Sequence, residues 1–283
     1  MLKNVKIGIG MFNQWIEEMP LSQFTDLLKK NHADFAEFKI SVINWNKRKD
    51  QVRQTIESGL DVTVHAPFEG KYNPFYFEHG SDNETKKLYY ELLFILDEIS
   101  RMKGSSVNVN VHAASVSKDK AGVEELMDRS RIFFDWINEH IKKNLLNLNI
   151  TCELLPQDKV KNKTGISQLE LIELSEKLKE DIDFCLDMGH YYSNLISYSE
   201  KEFTSEFLDR VSNIHIHDII NGSDHVPLIF DTIPYKKYFS DFIWKKLKTI
   251  AIELNFENTK LYGEPYQLLY KSLNKLREII NIH

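Results

Sequence analysis

Eight ionisable side chains lie inside or directly after short apolar runs of this sequence. They are His65, His112, Glu153, Asp187, His190, His215, His217 and Glu253. Burying an ionisable group in an apolar strand is unfavourable unless the group is paired or binds a metal ion. Three carboxylates close together would repel one another, and a divalent cation is the simplest compensation. The residue types therefore indicate metal binding combined with acid–base chemistry.

Residues 183–192 show how such groups can be positioned. The segment begins Asp-Phe-Cys-Leu-Asp, which lacks the alternation of a surface strand and is typical of a parallel strand buried on both faces. Asp187 and His190 then follow at its carboxyl end, where the loops of an α/β barrel converge on the active site. For this stretch alone, a turn-capping aspartate and a structural histidine are an equally good interpretation. The repetition of the pattern in other runs favours a site.

Apolar runs alternate with amphipathic segments along the chain, which is the pattern of repeated βα units. Besides the strand that begins at 183, strands are predicted at 5–11, 35–40, 61–68, 107–111, 148–155, 211–216 and 249–254. Helices are predicted at about 51–58, 83–101, 120–143 and 265–280. We therefore predict an α/β fold, a single (β/α)8 TIM barrel that occupies residues 1–283 as one domain.

Charge and composition narrow the classes of function. Lys and Arg number 36 against 42 Asp and Glu, and the net charge of −6 gives no electrostatic case for binding a nucleic-acid backbone. No apolar run reaches the length of a membrane span, and the first ten residues lack the apolar core of a signal peptide. Cys152 and Cys185 lie in predicted strands and suit reduced thiols. We expect a cytoplasmic protein with no membrane or nucleic-acid partner.

The order of the strand-end residues resembles that of the xylose-isomerase-like TIM-barrel superfamily. This superfamily contains sugar isomerases and epimerases, inosose dehydratases and apurinic endonucleases of the endonuclease-four type. The matching segments are Val64-His-Ala-Pro-Phe68, Val111-His112, Cys152-Glu153, Leu186-Asp-Met-Gly-His190, His215-Ile-His-Asp218 and Ile252-Glu253. They cover strands three to eight, and the first two strands show no comparable segment.

The resemblance implies a metal site, and the number of metal ions in it depends on the branch of the superfamily. In the sugar-epimerase branch, one divalent metal ion is bound by the positions that correspond to Glu153, Asp187, His215 and Glu253. In the endonuclease branch, the same positions hold three zinc ions together with His65, His112, His190 and a distal Asp-x-His pair. We expect one ion here, either Mn, Mg or Co, with Zn left open, because oxygen-rich ligation with one imidazole suits these metals.

This chain departs from both branches in the loop after the seventh strand. The distal pair is replaced by Ser223-Asp-His225, so the aspartate directly precedes the histidine. Because side chains alternate in an extended segment, we predict that the Asp224 carboxylate faces away from the His225 imidazole and that a third ion binds poorly. An arginine found in the epimerases a few residues after His215 is also absent, and Asn221 lies near its place.

The carboxylates and histidines at the strand ends suit a reaction that removes a proton from a carbon next to a carbonyl group and then returns one. We assign the roles of base and acid to Glu153 and Glu253, and we assign substrate binding to His65, His112 and His190, the last of which polarises or positions a sugar oxygen. A metal ion would stabilise the enediolate. The sequence thus predicts a divalent-metal-dependent sugar isomerase or epimerase with a small carbohydrate substrate. An apurinic endonuclease, a sugar-binding barrel without turnover, and assembly into a homo-oligomer are left open.

Overall fold

The computed structural model describes residues 4–198 and 202–280, and its eight parallel strands close into a barrel in chain order. The strands are β1 (Lys6–Ile9), β2 (Phe35–Lys39), β3 (Asp61–His65), β4 (Val107–Val111), β5 (Leu148–Glu153), β6 (Asp183–Asp187), β7 (Val211–Ile216) and β8 (Thr249–Ile252). β1 pairs with β8 on one side and with β2 on the other, which closes the ring. The predicted (β/α)8 barrel is confirmed.

Helices follow the strands and cover the outside of the barrel. They are α1 (Phe12–Trp15), α2 (Leu21–Lys30), α3 (Trp45–Glu57), α4 (Glu84–Lys103), α5 (Val123–Lys143), α6 (Gln168–Lys177), α7 (Met188–Tyr198), α8 (Ser205–Leu208), α9 (Tyr235–Asp241), α10 (Phe256–Lys260) and α11 (Pro265–Ile280). Within the described part of the chain, no helix combines the length and apolar character needed to cross a bilayer.

Several predicted helix and strand ends were wrong by a few residues. α3 begins at Trp45 and not near residue 51, because Ser41 and Asn44 accept each other's backbone N–H groups and start the helix there. The predicted strands 61–68, 148–155 and 249–254 end earlier, at His65, Glu153 and Ile252. The residues beyond these ends are buried except for the half-buried Phe68, so the apolar character of most of them reflects packing in the loops and not strand pairing.

Two short antiparallel pairs of strands extend the carboxyl end of the barrel. Ser115–Ser117 pairs with Lys161–Lys163, and Asp218–Ile220 pairs with Ser223–Val226. Asn221 and Gly222, both with positive φ, form the two-residue turn of the second pair, which is a hairpin. Asn221 is therefore an exposed turn residue.

A chain of hydrogen bonds crosses the barrel interior towards the carboxyl end. The Thr249 hydroxyl donates to Asn213 Oδ1 at 2.8 Å, and Asn213 Nδ2 donates to Thr151 Oγ1 at 3.2 Å. Thr151 Oγ1 in turn lies 3.4 Å from Asn110 Oδ1. Asn110 Nδ2 donates to Glu153 Oε2. The chain therefore fixes the orientation of a carboxylate at the mouth of the barrel.

Candidate metal and active site

The ionisable residues that the sequence singled out meet at the carboxyl end of the barrel. Four of them end their strands or lie one residue before the end, namely His65 on β3, Glu153 on β5, Asp187 on β6 and His215 on β7. A cavity of about 480 Å³ opens at this end. Its walls include His65, His112, Glu153, His190, His225 and Glu253.

Four buried residues can each place one ligand atom within 4.8 Å of the others. They are Glu153, Asp187, His215 and Glu253. The structure thus brings together the four side chains that the resemblance marked as ligands. They come from four strands that are consecutive around the barrel.

Several buried atoms of this region lack a hydrogen-bond partner. They include Asp187 Oδ2, His215 Nδ1 and Glu253 Oε2, and also Nε2 of the neighbouring His112. His215 Nδ1 and Glu253 Oε2 lie 2.8 Å apart without forming a hydrogen bond of acceptable geometry. Unpaired buried polar atoms are rare in proteins and often mark an ion site. Because the atoms are carboxylate oxygens and imidazole nitrogens, the donor set fits a divalent cation.

Glu153 is the central carboxylate of the cavity. Its Oε2 lies 3.2 Å from Nε2 of His65 and 3.2 Å from Nε2 of His112, in addition to the bond from Asn110. Burial raises the pKa of Glu153, but His112, His65 and His215 outweigh it and hold the pKa well below its usual range. Glu153 is therefore ionised near neutral pH.

Glu253 has a similar environment on the other side of the set. Burial raises its pKa, whereas His215 and His225 lower it, and the net pKa is well below the usual value. Both glutamates are consequently negative. Burial lowers the pKa of His215, but Cys185, Glu37 and Glu253 outweigh it and hold the pKa well above its usual value.

Asp187 combines a structural and an available oxygen. Its Oδ1 accepts the backbone N–H of His190 at 2.7 Å, which caps the first turn of α7, and it lies 3.1 Å from Nε2 of His217. Its Oδ2 makes no hydrogen bond. The turn-capping interpretation and the ligand interpretation of Asp187 therefore apply to different oxygens.

His65 and His190 are held by backbone carbonyl groups. His65 Nδ1 lies 2.8 Å from the oxygen of Ala66, and His190 Nδ1 lies 3.2 Å from that of Leu154. A carbonyl only accepts, so each Nδ1 carries the hydrogen, which leaves Nε2 of His190 as an acceptor. Nε2 of His65 faces the Glu153 carboxylate instead, and this contact raises the pKa of His65 against the opposing effect of burial. Burial lowers the pKa of His190, which keeps this ring neutral.

Sequence reasoning left the role of His217 undecided. Its Nδ1 accepts the backbone N–H of His225 at 2.9 Å, so its Nε2 carries the hydrogen that faces Asp187. Gly189 makes room for this ring, since a Cβ there would lie 2.1 Å from His217 Cε1. The glycine of the Met-Gly-His segment was thus the local signal that another side chain packs against the turn.

The prediction for Asp224 was wrong. Asp224 Oδ1 lies 3.0 Å from His225 Nδ1, and this contact lowers the pKa of Asp224. His225 has a φ of 54°, in the left-handed region, so the alternation of an extended segment does not apply there. His225 Nε2 also lies 3.7 Å from Glu253 Oε2.

Three further groups of possible ligands adjoin the first set. They are His65, His112 and Glu153; Asp187, His190, His217 and His225; and Glu153, Cys185 and His215. Above them, Phe68 stacks on His112 with ring centroids 3.9 Å apart, and Lys39 Nζ lies 4.4 Å from the Phe68 ring centroid. Phe68 therefore forms an apolar wall beside the polar cavity floor.

Sequence comparison finds no relative, whereas comparison of structures finds many. No family model and no curated protein matches the chain. D-allulose 3-epimerase from Methylomonas sp. is 13% identical with a TM-score of 0.72, covering 98% of each chain. D-psicose 3-epimerase from Clostridium cellulolyticum H10, with D-tagatose, is 12% identical with a TM-score of 0.68, covering 98% of this chain and 99% of that one.

A third solved structure has a different sugar specificity in its name. It is the apo form of 3-keto-D-glucoside 4-epimerase from E. coli, which is 14% identical with a TM-score of 0.69 over 97% of this chain and 99% of that one. Identities this low show a common fold and no more. The fold that the resemblance implied is confirmed: this chain has the same TIM-barrel fold as these three solved structures.

Proposed function

We propose that this protein is a divalent-metal-dependent sugar isomerase or epimerase in which Glu153 and Glu253 exchange a proton with the substrate. The observation that carries the proposal is the buried set of Glu153, Asp187, His215 and Glu253, whose ligand atoms lie within 4.8 Å of one another. Full-length structural likeness to three sugar epimerases supports a carbohydrate as the substrate.

The same four residues would hold the cation. Three carboxylates and one imidazole suit Mn, Mg or Co, and Zn is also compatible with these ligands. When bound, the cation would stabilise the negative charge that develops as a proton leaves the carbon next to a carbonyl group.

Proton transfer falls to the two glutamates. Glu153 ends β5 and Glu253 follows β8, so they approach the cavity from strands that are three places apart in the ring. Their pKa values lie below the usual range, which leaves both free to accept a proton. With both carboxylates ionised, one can take the proton from the substrate carbon. The other can return a proton to that carbon after taking one from solvent, and the first carboxylate then releases its proton to solvent.

The remaining cavity residues suit a sugar. A volume of about 480 Å³ lies in the range of small-molecule sites and accommodates a monosaccharide. His190, with its Nδ1 bonded to a carbonyl, offers Nε2 to accept a hydrogen bond from a hydroxyl group. His65 and His112 lie on the opposite side of Glu153 and complete the proposed substrate contacts.

The test is isotope exchange with a panel of free ketohexoses and 3-keto sugars in D2O. We expect Mn²⁺- or Co²⁺-dependent conversion, with solvent deuterium entering the epimerised carbon, and loss of both after treatment with EDTA. Undiminished conversion in EDTA would contradict the metal-dependent mechanism. Tight binding of a sugar with no exchange would favour the alternative of a binding protein without turnover.

A specific observation keeps an apurinic endonuclease as the second candidate. The contact between Asp224 and His225 restores a pair that the sequence lacked in its expected spacing, and two of the further groups of possible ligands add histidines to the main set. Within the group of Asp187, His190, His217 and His225, both nitrogens of His217 already have protein partners, so this ring offers no ligand atom. We expect one tightly bound metal per chain, a second weaker one at most at His65 and His112, and no incision of abasic duplex DNA. Three tight zinc ions with incision would reverse the order of the two candidates.

A further inference from the structure

One buried carboxylate near the site has no part in the reaction proposed above. Glu37 lies within β2 and is 5% exposed, between Ala36 and Phe38, which belong to the hydrophobic core. Its Oε1 lies 3.3 Å and its Oε2 lies 3.4 Å from His215 Nε2. Within residues 4–198 and 202–280, the structure shows no other ion pair of Glu37. A buried carboxylate with one imidazole as its partner calls for an explanation.

The two nitrogens of His215 face different groups. Nδ1 lies 2.8 Å from Glu253 Oε2 and 3.9 Å from Glu153 Oε2, which is the side of the proposed ligand set. Nε2 lies on the other edge of the ring and faces Glu37. An imidazole binds a metal through one nitrogen, and the hydrogen bond made by the other nitrogen selects the tautomer and the ring orientation.

We infer that Glu37 is a positioning residue that accepts the Nε2–H hydrogen bond of His215 and so presents Nδ1 to the cation. The inference rests on the proposed function in one respect, because it takes His215 as a metal ligand. β2 and β7 are not neighbours in the barrel, so the contact spans the interior and depends on closure of the ring. Glu37 acts through His215 and does not contact the substrate.

The test is isothermal titration of the purified protein with Mn²⁺, comparing the wild type with Glu37→Gln. We expect the Kd for Mn²⁺ to rise by about 10- to 100-fold, with the stoichiometry retained, since loss of an outer partner of a ligating histidine has an effect of this size. Circular dichroism should show the wild-type fold. A Kd within twofold of the wild type would overturn the inference.

Asp135→Asn is the matched control. Asp135 is another buried carboxylate, located in α5, and it accepts the backbone N–H of Lys179 at 2.9 Å, away from the cavity. We expect its Kd for Mn²⁺ to equal that of the wild type. An equal loss of affinity in this control would show a general effect of removing buried charge and would also overturn the inference.

A second variant, Glu37→Asp, tests the inference even if Glu37→Gln does not fold. Glu37→Asp keeps the charge but withdraws the carboxylate by one methylene, so we expect weaker Mn²⁺ binding here as well; unchanged affinity would contradict a positioning role. A wild-type protein that binds no divalent cation would overturn the proposed function together with this inference. Normal binding by the wild type and by both Glu37 variants would overturn this inference alone.

Discussion

The two ends of the barrel contain charged side chains in different states of pairing. At the amino end, Asp61 lies 2.6 Å from Lys103 and 2.6 Å from Lys6, through different carboxylate oxygens. Lys103 also donates to the carbonyl groups of Val62 and Ser106. At the carboxyl end, buried atoms of Asp187, His215 and Glu253 have no hydrogen-bond partner.

This difference indicates that the charges at the amino end have a structural role and that those at the carboxyl end have a functional role. The contacts at the amino end are complete, so they stabilise the fold without the help of a ligand. The unpaired atoms at the carboxyl end leave the folded chain with a local penalty that a bound cation can remove. Substitutions at the two ends should therefore affect different measurements.

Glu153→Gln should give the largest effect. It removes both a proposed ligand and a proposed proton-transfer group, so we expect turnover to fall by at least about 10²–10⁴-fold, the contribution of a single acid–base residue, together with weaker metal binding. Activity, metal content and circular dichroism should be measured on the same preparation. Asp61→Asn serves as the control from the opposite end and should retain wild-type turnover. Full activity of Glu153→Gln would remove Glu153 from the site.

His190→Ala should lower turnover and leave the metal in place. We expect a loss of about 10²-fold, comparable to deletion of one oriented hydrogen-bonding group in an active site. The bound metal should stay near the wild-type level in elemental analysis. His140→Ala, on the outer helix α5, is the matched histidine control. Loss of stoichiometric metal from His190→Ala would place His190 among the ligands and favour the endonuclease-like arrangement.

Cation binding should raise the Tm of the protein, and this rise should depend only on the proposed ligands at the carboxyl end of the barrel. At a Mn²⁺ concentration about 100 times the Kd, the gain in the free energy of unfolding is about 2.7 kcal/mol, which corresponds to several degrees in Tm. Asp187→Asn should lose this rise in Tm, whereas Asp61→Asn should keep it. Equal rises in both variants, measured by scanning calorimetry, would show that the cation binds elsewhere.

Asp61→Asn should give a smaller effect that depends on pH. Burial raises the pKa of Asp61, but the bonds from Lys103 and Lys6 outweigh it and lower the pKa. A lowered pKa in the folded state stabilises the protein above the unfolded value, near pH 4, and this stabilisation is lost as the pH falls through the folded pKa. At pH 7 we expect the variant to be less stable by about 1–3 kcal/mol in urea unfolding. A difference that persists undiminished at low pH would contradict the ion-pair explanation.

The sequence by itself was sufficient for the repeated βα units and for most of the candidate site. Burial of a strand on both faces appears as an unbroken apolar run, and a polar residue at its carboxyl end stands out because burial of charge is unfavourable. Glu153, Asp187, His215 and Glu253 were among the eight residues selected on this basis, and only the resemblance to a known superfamily separated them as a ligand set. Strand ends were less accurate, because the loop residues beyond them are also buried and look like strand in composition.

Only the tertiary structure decided which side chains meet across the barrel. Glu37 was a polar exception in its strand, and its pairing with His215 follows from closure of the ring and not from any local pattern. The contact between Asp224 and His225 depends on the left-handed backbone at His225. Both backbone groups of His225 are hydrogen-bonded, since its N–H donates to His217 Nδ1 and its carbonyl accepts from the backbone N–H of Asn255. Alternation of side chains is a property of extended backbone, and long-range hydrogen bonds changed the backbone at this position.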